Sequence, residues 1–494
     1  MQLWKLLGVG PVRRIVVLLI ATAFAAIAAA QKPEYRPIWI DVFHKGLKSQ
    51  AEADAMLAAV RAGNYNAVIL QVRKAADAYY NGQFEPRNAA VQAGFDPLEY
   101  IIKQARSGPA NQRLEVHAWI VTYRVRLPGD NLYQNPGHVY TRHPEWLSQT
   151  SGGSKAGTGD HAGRYYLDPG VPAVIDYNLN AVRDIVSRYD VDGIVFDYIR
   201  YPESPGAGSV WGYNPIAIER FNRLYGRTGK PAPDDPEFGE FRRRQISDQV
   251  RKIYAHVRLW RPRVKIGAAT IAWGSVERGF DRTDSYSKVF QDWPQLVRDG
   301  FLDLNMPMNY KREHIPAQAA DHRSWAAFLG ELSLQYGRFG VNVVDGEELN
   351  KMEGVLAQIR ATRTMPGLAG ISTYAYAQPR AGSAKRPTPD MEFFSTIGRE
   401  IFTQSAAIPD ATWLSRPTEG MIKGVVTRKG QPVDGALVKL GNRETHTDGT
   451  GFYAFARVAP GNHSVTARDG EGNIGQRSTP VAAGQVAECA VGGQ

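Results

Sequence analysis

A short apolar segment that ends in a carboxylate is the strongest chemical signal in the sequence. Residues 192–202 read DGIVFDYIRYP. If this segment is a strand, its two-residue alternation puts Val195 and Asp197 on one face and Phe196 on the other. A buried carboxylate is costly unless it has a partner or a task, and Arg200 follows closely enough to keep Asp197 ionised. We therefore predict that Asp197 is catalytic, with a structural Asp197–Arg200 pair as the alternative.

Eight strand-like segments, each followed by a helical pattern, could position such a carboxylate. Apolar runs of strand length lie at 36–43, 66–72, 114–121, 192–198, 264–271, 302–308, 338–344 and 368–375. Helical stretches lie near 50–62, 96–106, 172–189, 240–259, 289–299, 316–335, 348–363 and 390–403. This alternation predicts an α/β fold, a (β/α)8 TIM barrel with its active site at the carboxyl ends of the strands. An open doubly wound sheet is the alternative, but the first strand runs into FHKG, which is not a glycine-rich phosphate turn.

The composition changes near residue 418, which indicates a second domain. Residues 405–419 have the composition of a linker, and residues 420–494 contain short alternating strands separated by Gly, Asp, Asn and Pro turns. We predict a small all-β sandwich of about seven strands. The segments GVVTRKGQPVDGALVKL, THTDGTGFYAF and VAPGNHSVTARDG resemble the carboxypeptidase-regulatory-like domain, a transthyretin-like sandwich. This resemblance implies a spacer or a surface-binding appendage, and it is compatible with association with the cell envelope.

Residues 1–30 have the order of a secretory signal peptide. Basic residues precede an apolar run from Ile15 to Ala30, and small residues stand before Gln31. The run is shorter than the ~20 residues that a membrane-spanning helix needs. We therefore predict cleavage near Ala30 and export to the periplasm or the cell exterior, with an uncleaved anchor as the alternative. The single cysteine, Cys489, excludes an intrachain disulfide.

Seven motifs in register resemble a known family. They are RPIWIDVF, NAVILQVRKAADAYY, LEVHAWI, HPEWL, YYLDPGVPAV, DGIVFDYIRYP and LDLNMPMNY. The chain resembles the glycosyl-hydrolase-like proteins of family-ten type, exported bacterial barrels that include enzymes cleaving the glycan strands of peptidoglycan. The resemblance spans residues 36–400 and implies a barrel that hydrolyses O-glycosidic bonds of a cell-envelope or extracellular polysaccharide. Two positions depart from the family pattern: Tyr198 stands where a second acid is frequent, and Asp168 stands where Asn is usual.

Glycoside hydrolysis normally uses two carboxylates. One attacks or stabilises the anomeric carbon, and the other protonates the leaving oxygen. We assign Asp197 to the first role. Glu313, beyond the sixth strand, is our first candidate for the acid, and Asp41, at the end of the first strand, is the second. Glu313 could instead be a solvated loop charge, and Asp41 could be a structural partner of Arg73 or His117.

Residues at or just past the predicted strand ends are candidates for binding the sugar. Arg73 could clamp a substrate or form an internal ion pair. His117 and Trp119 share one face of the third strand, where Trp119 could stack on a sugar or fill the core. The remaining predicted substrate-binding residues are Tyr198, Arg200, Tyr201, Trp273, Asn309, Tyr310 and Tyr374. As a set, the aromatic residues among them favour a carbohydrate cleft.

The composition and the absence of two catalytic motifs argue against several other classes of protein. Hydrophobic residues make up 43% and charged residues 22% of the chain, which excludes a disordered chain. The net charge of +10 allows an anionic partner without requiring nucleic acid. The sequence contains no HExxH and no GxSxG motif. We predict a polysaccharide substrate, no metal or other cofactor and no nucleic-acid partner. A non-catalytic glycan-binding protein and an envelope scaffold that docks a protein through the β-sandwich are the other hypotheses.

Overall fold

The computed structural model describes residues 32–157, 162–203, 210–346, 349–377 and 391–493. Within these ranges eight parallel strands form a closed barrel in the order β1-β8-β7-β6-β5-β4-β3-β2. The strands are β1 (Pro37–Ile40), β2 (Ala67–Arg73), β3 (Glu115–Val121), β4 (Gly193–Asp197), β5 (Lys265–Ile271), β6 (Leu304–Met308), β7 (Phe339–Asp345) and β8 (Leu368–Tyr374). The first and last strands pair through Ile38 and Thr373. The predicted TIM barrel is therefore confirmed, and the predicted signal peptide lies outside the described residues.

Helices follow the barrel strands along the chain. They are α1 (Gln50–Ala62), α2 (Pro97–Arg106), α3 (Pro172–Arg188), α4 (Pro215–Tyr225), α5 (Pro236–Trp260), α6 (Trp293–Asp299), α7 (Pro316–Tyr336), α8 (Met352–Arg363) and α9 (Met391–Glu400), with short helices at Val139–Arg142, Asp284–Ser287 and Thr412–Ser415. Helix α4 is not among the predicted helices, although Asn214 caps its first turn and Gly226, with a φ of 61°, ends it. No helix in the described ranges is long and apolar enough to cross a lipid bilayer.

The two faces of the barrel strands bury different side chains. The side chains that point into the barrel form one cluster, which includes Trp39, Ile69, Trp119, Val195 and Val343. Alternate positions such as Ile194 and Phe196 belong to the larger core outside the barrel strands. The alternation predicted for the fourth strand is therefore confirmed. It directs Asp197 inward from the carboxyl end of β4.

Residues 420–492 contain two β-sheets. Their strands are β9 (Gly420–Arg428), β10 (Gln431–Pro432), β11 (Leu437–Leu440), β12 (Arg443–His446), β13 (Phe452–Val458), β14 (Gly461–Asp469), β15 (Gly472–Val481), β16 (Val486–Glu488) and β17 (Val491–Gly492). In one sheet β9 pairs with β10, β13, β16 and β17, and the other has the order β12-β11-β14-β15. Ile422, Val438 and Tyr453 lie in a common buried core. This arrangement is the predicted β-sandwich, and the resemblance to the carboxypeptidase-regulatory-like domain stays a prediction.

The sandwich is fixed to the barrel by ion pairs and by packing on α5. Arg220 of α4 donates two hydrogen bonds of 3.0 Å to the Asp434 carboxylate, and Arg223 binds the same carboxylate at 2.6 Å. The ring of Phe452 lies 5.2 Å from that of His256 on α5. Planar guanidinium–carboxylate pairs of this kind also fix orientation. The two domains therefore have a defined contact.

The predicted linker, residues 405–419, is bound to the barrel. Asn66, which precedes β2, donates a hydrogen bond of 3.0 Å to the carbonyl of Ala406. The indole of Trp413 donates one of 2.7 Å to Asp303, which precedes β6. Both contacts lie at the N-terminal ends of the strands. The segment therefore crosses the end of the barrel opposite the predicted active site.

Candidate active site

Asp197 ends β4 and turns its carboxylate into the mouth of the barrel, where it is 7% exposed. Its Oδ2 accepts a hydrogen bond of 3.2 Å from the indole of Trp119, and its Oδ1 accepts one of 2.7 Å from the backbone N–H of Tyr198. Burial raises the pKa of Asp197, while the charges of Arg200 and Arg124 act in the opposite direction. The carboxylate is thus desolvated and held in one orientation. A nucleophile or a stabiliser of developing positive charge requires both properties.

Tyr198 brings two arginines close to this carboxylate. Its φ of 49° lies in the left-handed region, which is uncommon for a residue other than glycine. The guanidinium carbons of Arg124 and Arg200 lie 4.8 and 4.4 Å from the centre of its ring. Arg200 makes an ion pair of 2.8 Å with Glu203 and none with Asp197. Burial by itself would lower the pKa of Arg200, because it disfavours the charged form. The electrostatic interactions with Glu203 and Tyr198 raise this pKa by more, so the pKa of Arg200 is raised overall. The direct Asp197–Arg200 pair considered as an alternative is absent.

Two further carboxylates end barrel strands on the same side. Asp41 follows β1 and Asp345 ends β7, and they are 4% and 2% exposed. By strand alternation both continue the inward faces of Trp39 and Val343. In the barrel order β1, β4 and β7 are separated from one another by one or two strands. Asp345 is not among the predicted site residues, although GVNVVD carries the same signal as GIVFD, an apolar strand that ends in an acid.

Hydrogen bonds distinguish these two carboxylates. The Oδ1 of Asp41 accepts from the backbone N–H groups of Phe43 and His44 at 2.8 and 2.9 Å, and the His44 ring nitrogen Nδ1 lies 2.9 Å away. The partner of Asp41 is therefore His44, and neither Arg73 nor His117. Asp345 accepts a hydrogen bond of 2.7 Å from the backbone N–H of Leu349.

Glu313, the first candidate for the general acid, lies beyond β6 and is paired with an arginine. Arg323 of α7 binds both carboxylate oxygens, with Oε2 at 3.0 Å. The hydrogen bond from Arg323 lowers the pKa of Glu313. A general acid must carry a proton at the working pH, which requires a raised pKa. The surroundings of Glu313 therefore disfavour the role predicted for it.

Aromatic side chains from several strands lie beside Trp119. The ring of Trp39 is 5.0 Å from that of Trp119, edge to face, and the ring of Tyr374 is 6.2 Å away. Tyr310 follows at 5.8 Å from Tyr374. Tyr310, Tyr374 and Trp273 are partly exposed, whereas Trp39 and Trp119 are buried. The partly exposed rings can contact a ligand. The buried ring of Trp39 packs against the Trp119 indole, which donates to Asp197.

Arg73, predicted as a substrate clamp, is 1% exposed. Its Nε and Nη2 each bind the Glu85 carboxylate at 2.7 Å, and its Nη1 donates to the carbonyl groups of Val121 and Thr122 at 2.5 and 2.9 Å. Glu85 also accepts a hydrogen bond of 2.5 Å from the hydroxyl of Tyr177. This is the internal ion pair that the sequence left open. The Arg73 guanidinium joins the end of β2 to the segment that contains Glu85 and to the end of β3, and it leaves no access for a ligand.

Three other predicted binding residues are fully buried. His117 lies near the N-terminal end of β3, with its Nε2 2.7 Å from the hydroxyl of Tyr35. The hydroxyl of Tyr201 is 3.5 Å from Asp168, and the amide of Asn309 donates to a backbone carbonyl at 2.9 Å. These side chains fill the core or hold loops. Among the described residues, no group of three or more His, Cys, Asp or Glu side chains could hold a metal ion.

Solved glycoside hydrolases have the same barrel. The PgaB (BpsB) glycoside hydrolase domain from Bordetella bronchiseptica gives a TM-score of 0.51 at 14% identity, over 70% of this chain and 94% of that one. The catalytic domain of beta-amylase from Paenibacillus polymyxa gives 0.50 at 12% identity, over 76% of this chain and 100% of that one. At such identities the similarity establishes the fold alone.

Two relatives identify the class. Glycosyl hydrolase YngK from Bacillus subtilis (strain 168) is 23% identical over 480 residues, which are 89% of this chain and 85% of that protein. Glycosyl hydrolase DigH from Escherichia coli (strain K12) is 30% identical over 235 residues, 44% of this chain and 46% of that protein. Together with the barrel and its buried carboxylate, they define the chain as a glycoside hydrolase. A family model described as glycosyl hydrolase-like 10 matches residues 34–328, and the chain belongs to that family.

Replacing Glu85 by Gln should lower stability and leave substrate affinity unchanged. The variant keeps Arg73 buried without its carboxylate, so we expect the free energy of unfolding to fall by about 3 kcal/mol. Chemical denaturation measures this loss. Glu237→Gln, which breaks an exposed pair with Arg227, is the control and should cost less than about 1 kcal/mol. A raised KM for glycan with unchanged stability would instead place Arg73 on the substrate.

Proposed function

We propose that this glycoside hydrolase is exported and cleaves the glycan strands of peptidoglycan, with Asp197 as nucleophile or charge stabiliser. The observation that carries the proposal is the buried, oriented carboxylate of Asp197 at the barrel mouth. Residues 1–30 support export, because basic residues precede an apolar run and small residues. The net charge of +10, which is +7 without the three basic residues of the segment 1–30, favours an anionic polymer as substrate.

Asp345 is our candidate for the acid that protonates the leaving oxygen. It is buried and lies three positions from Asp197 in the barrel order, so the two carboxylates approach the mouth from different sides. A sugar bound across the mouth would then have one carboxylate on each side. Asp41, whose Oδ1 accepts two backbone N–H groups and lies 2.9 Å from Nδ1 of His44, is the alternative acid. Glu313 fits this role less well because Arg323 lowers its pKa.

Product analysis with purified peptidoglycan tests the hydrolysis. The protein without residues 1–30 is incubated with intact peptidoglycan and with peptidoglycan stripped of stem peptides, and the products are examined by mass spectrometry. We expect new glycan fragments from the wild type, and at least about a thousandfold slower release by Asp197→Asn, since a positioned carboxylate contributes on that order. Binding to the polymer should survive in the variant. Binding without fragments from the wild type would favour the non-catalytic glycan-binding alternative.

The pH dependence of kcat distinguishes the candidate acids. A general acid must be protonated, so its titration produces the alkaline limb of the profile. We expect Asp345→Asn to lower kcat about a hundredfold and to abolish that limb. Asp41→Asn is the matched control and should keep the limb. If Asp41→Asn loses the alkaline limb and Asp345→Asn keeps it, then Asp41 and not Asp345 is the general acid.

The indole of Trp119 should contribute to the position of the acidic limb. Burial raises the pKa of Asp197, and the Trp119 N–H, which donates to the ionised carboxylate, opposes that rise. Trp119→Phe removes the donor, so the pKa of Asp197 should rise and the acidic limb of kcat/KM should move to higher pH. Trp39→Phe is the control, because the Trp39 N–H has no hydrogen-bond partner among the described residues. An acidic limb that moves equally in both variants would show that packing, not the hydrogen bond, sets it.

A further inference from the structure

A groove of about 260 Å³ lies between the barrel, the segment 413–420 and the β-sandwich. The barrel contributes Arg263, Gly300 and Arg338, which precede β5, β6 and β7 respectively. These residues lie at the N-terminal ends of the strands, whereas Asp197 lies at a carboxyl end. The groove is therefore at the opposite end of the barrel from the candidate active site.

Four arginines contribute to the lining of this groove. They are Arg258, Arg263, Arg338 and Arg457. The lining contains one carboxylate, Glu419. Arg258 lies 3.5 Å from Asp303, beneath the groove. The other three arginines make no ion pair with any carboxylate in the described ranges. Unpaired guanidinium groups in one concave site are a means of recognising an anion.

Two of these arginines, Arg338 and Arg457, are held in place by their surroundings. The guanidinium of Arg338 lies 4.7 Å from the ring centre of Trp413. Arg457 has a φ of 55°, and its guanidinium donates to the carbonyl of Tyr336 at the end of α7. The Nε–H groups of Arg338 and Arg457 are buried with no hydrogen-bond partner among the described residues. Burial, and then the positive charge of Arg338, lowers the pKa of Arg457. Like charges are thus held together with too few counter-charges.

We propose that this groove is a second, non-catalytic glycan-binding site, which takes an oxyanion carried by a cell-envelope polymer. A phosphate or a carboxylate would accept charge-assisted hydrogen bonds from the guanidinium groups and reduce their mutual repulsion. The volume suits one charged group with its sugar, since sites for larger ligands occupy about 300–1,000 Å³. Because the groove is remote from the mouth, a bound polymer leaves the active site open. It also raises the local concentration of substrate. The envelope origin of the polymer rests on the proposed function, whereas oxyanion binding does not.

Calorimetric titration of the protein without residues 1–30 tests the site. The probes are polygalacturonate for carboxylate, poly(glycerol phosphate) for phosphate and hydroxyethyl cellulose as a neutral polymer. The groove variant is Arg263→Ala/Arg338→Ala. The control variant, Arg468→Ala/Arg477→Ala, removes the same charge from exposed positions on β14 and β15. We expect about tenfold weaker binding of a charged polymer by the groove variant only, the effect of losing about 1.4 kcal/mol.

Each outcome decides the proposal. Weakening for one charged polymer alone supports the site and identifies its oxyanion, and weakening for both supports a site that accepts either. Equal weakening in the two double variants, or no binding of either charged polymer, overturns it. Arg263→Ala alone, at an exposed position, gives the same comparison if the double variant does not fold. Repeating the titration with Asp197→Asn separates this site from hydrolysis, because groove binding should persist when hydrolysis is lost.

Discussion

The burial of one carboxylate at the end of β4 determines the arrangement of the barrel mouth. Moving an ionised carboxylate out of water is unfavourable unless donors replace the lost hydration. The neighbouring strand β3 supplies the indole of Trp119, and the chain itself supplies the N–H of Tyr198. Trp119 is in turn packed against Trp39 and Tyr374. Strands β1, β3, β4 and β8 thus converge on a single charge, and any displacement of the aromatic rings would change its hydrogen bonding.

The surroundings of Tyr198 explain why the Asp197 carboxylate is not occupied by a direct ion pair. Where the family resemblance implies a frequent second acid, this chain has a tyrosine whose ring centre lies 4.8 Å from the guanidinium carbon of Arg124 and 4.4 Å from that of Arg200. Arg200 binds Glu203, so the cations act on Asp197 through the field and not through a direct ion pair. A direct pair would occupy the carboxylate oxygens that a nucleophile needs. The replacement therefore fits a single catalytic carboxylate on β4 with its partner on another strand.

The sequence predicts the barrel well because each strand alternates between two buried surfaces, and this local pattern is readable without contacts. Asp197 was found for the same reason, and Asp345 could have been found by applying the same pattern to β7. The sequence does not distinguish a structural role from a binding role for Arg73 and His117, because these roles depend on Glu85 and Tyr35, which only the fold brings into contact with them. The contact between Arg220 and Asp434 joins residues more than two hundred positions apart, which no local pattern reveals. Helix α4 was missed although its capping residues are local signals.

The two ends of the barrel present different charged side chains to a polymer. The mouth holds the carboxylates of Asp41, Asp197 and Asp345, with Arg124 and Arg200 near Asp197, whereas four arginines and one glutamate line the groove at the other end. In glycoside hydrolysis, carboxylates beside the sugar stabilise the positive charge that develops on a pyranose ring in an oxocarbenium-ion-like transition state. They also repel an anionic group placed beside them. A polyanionic glycan could therefore bind at both ends of the barrel only if its charged groups lie away from the scissile bond. Such a division of charge favours a long, sparsely charged chain over a short oligosaccharide.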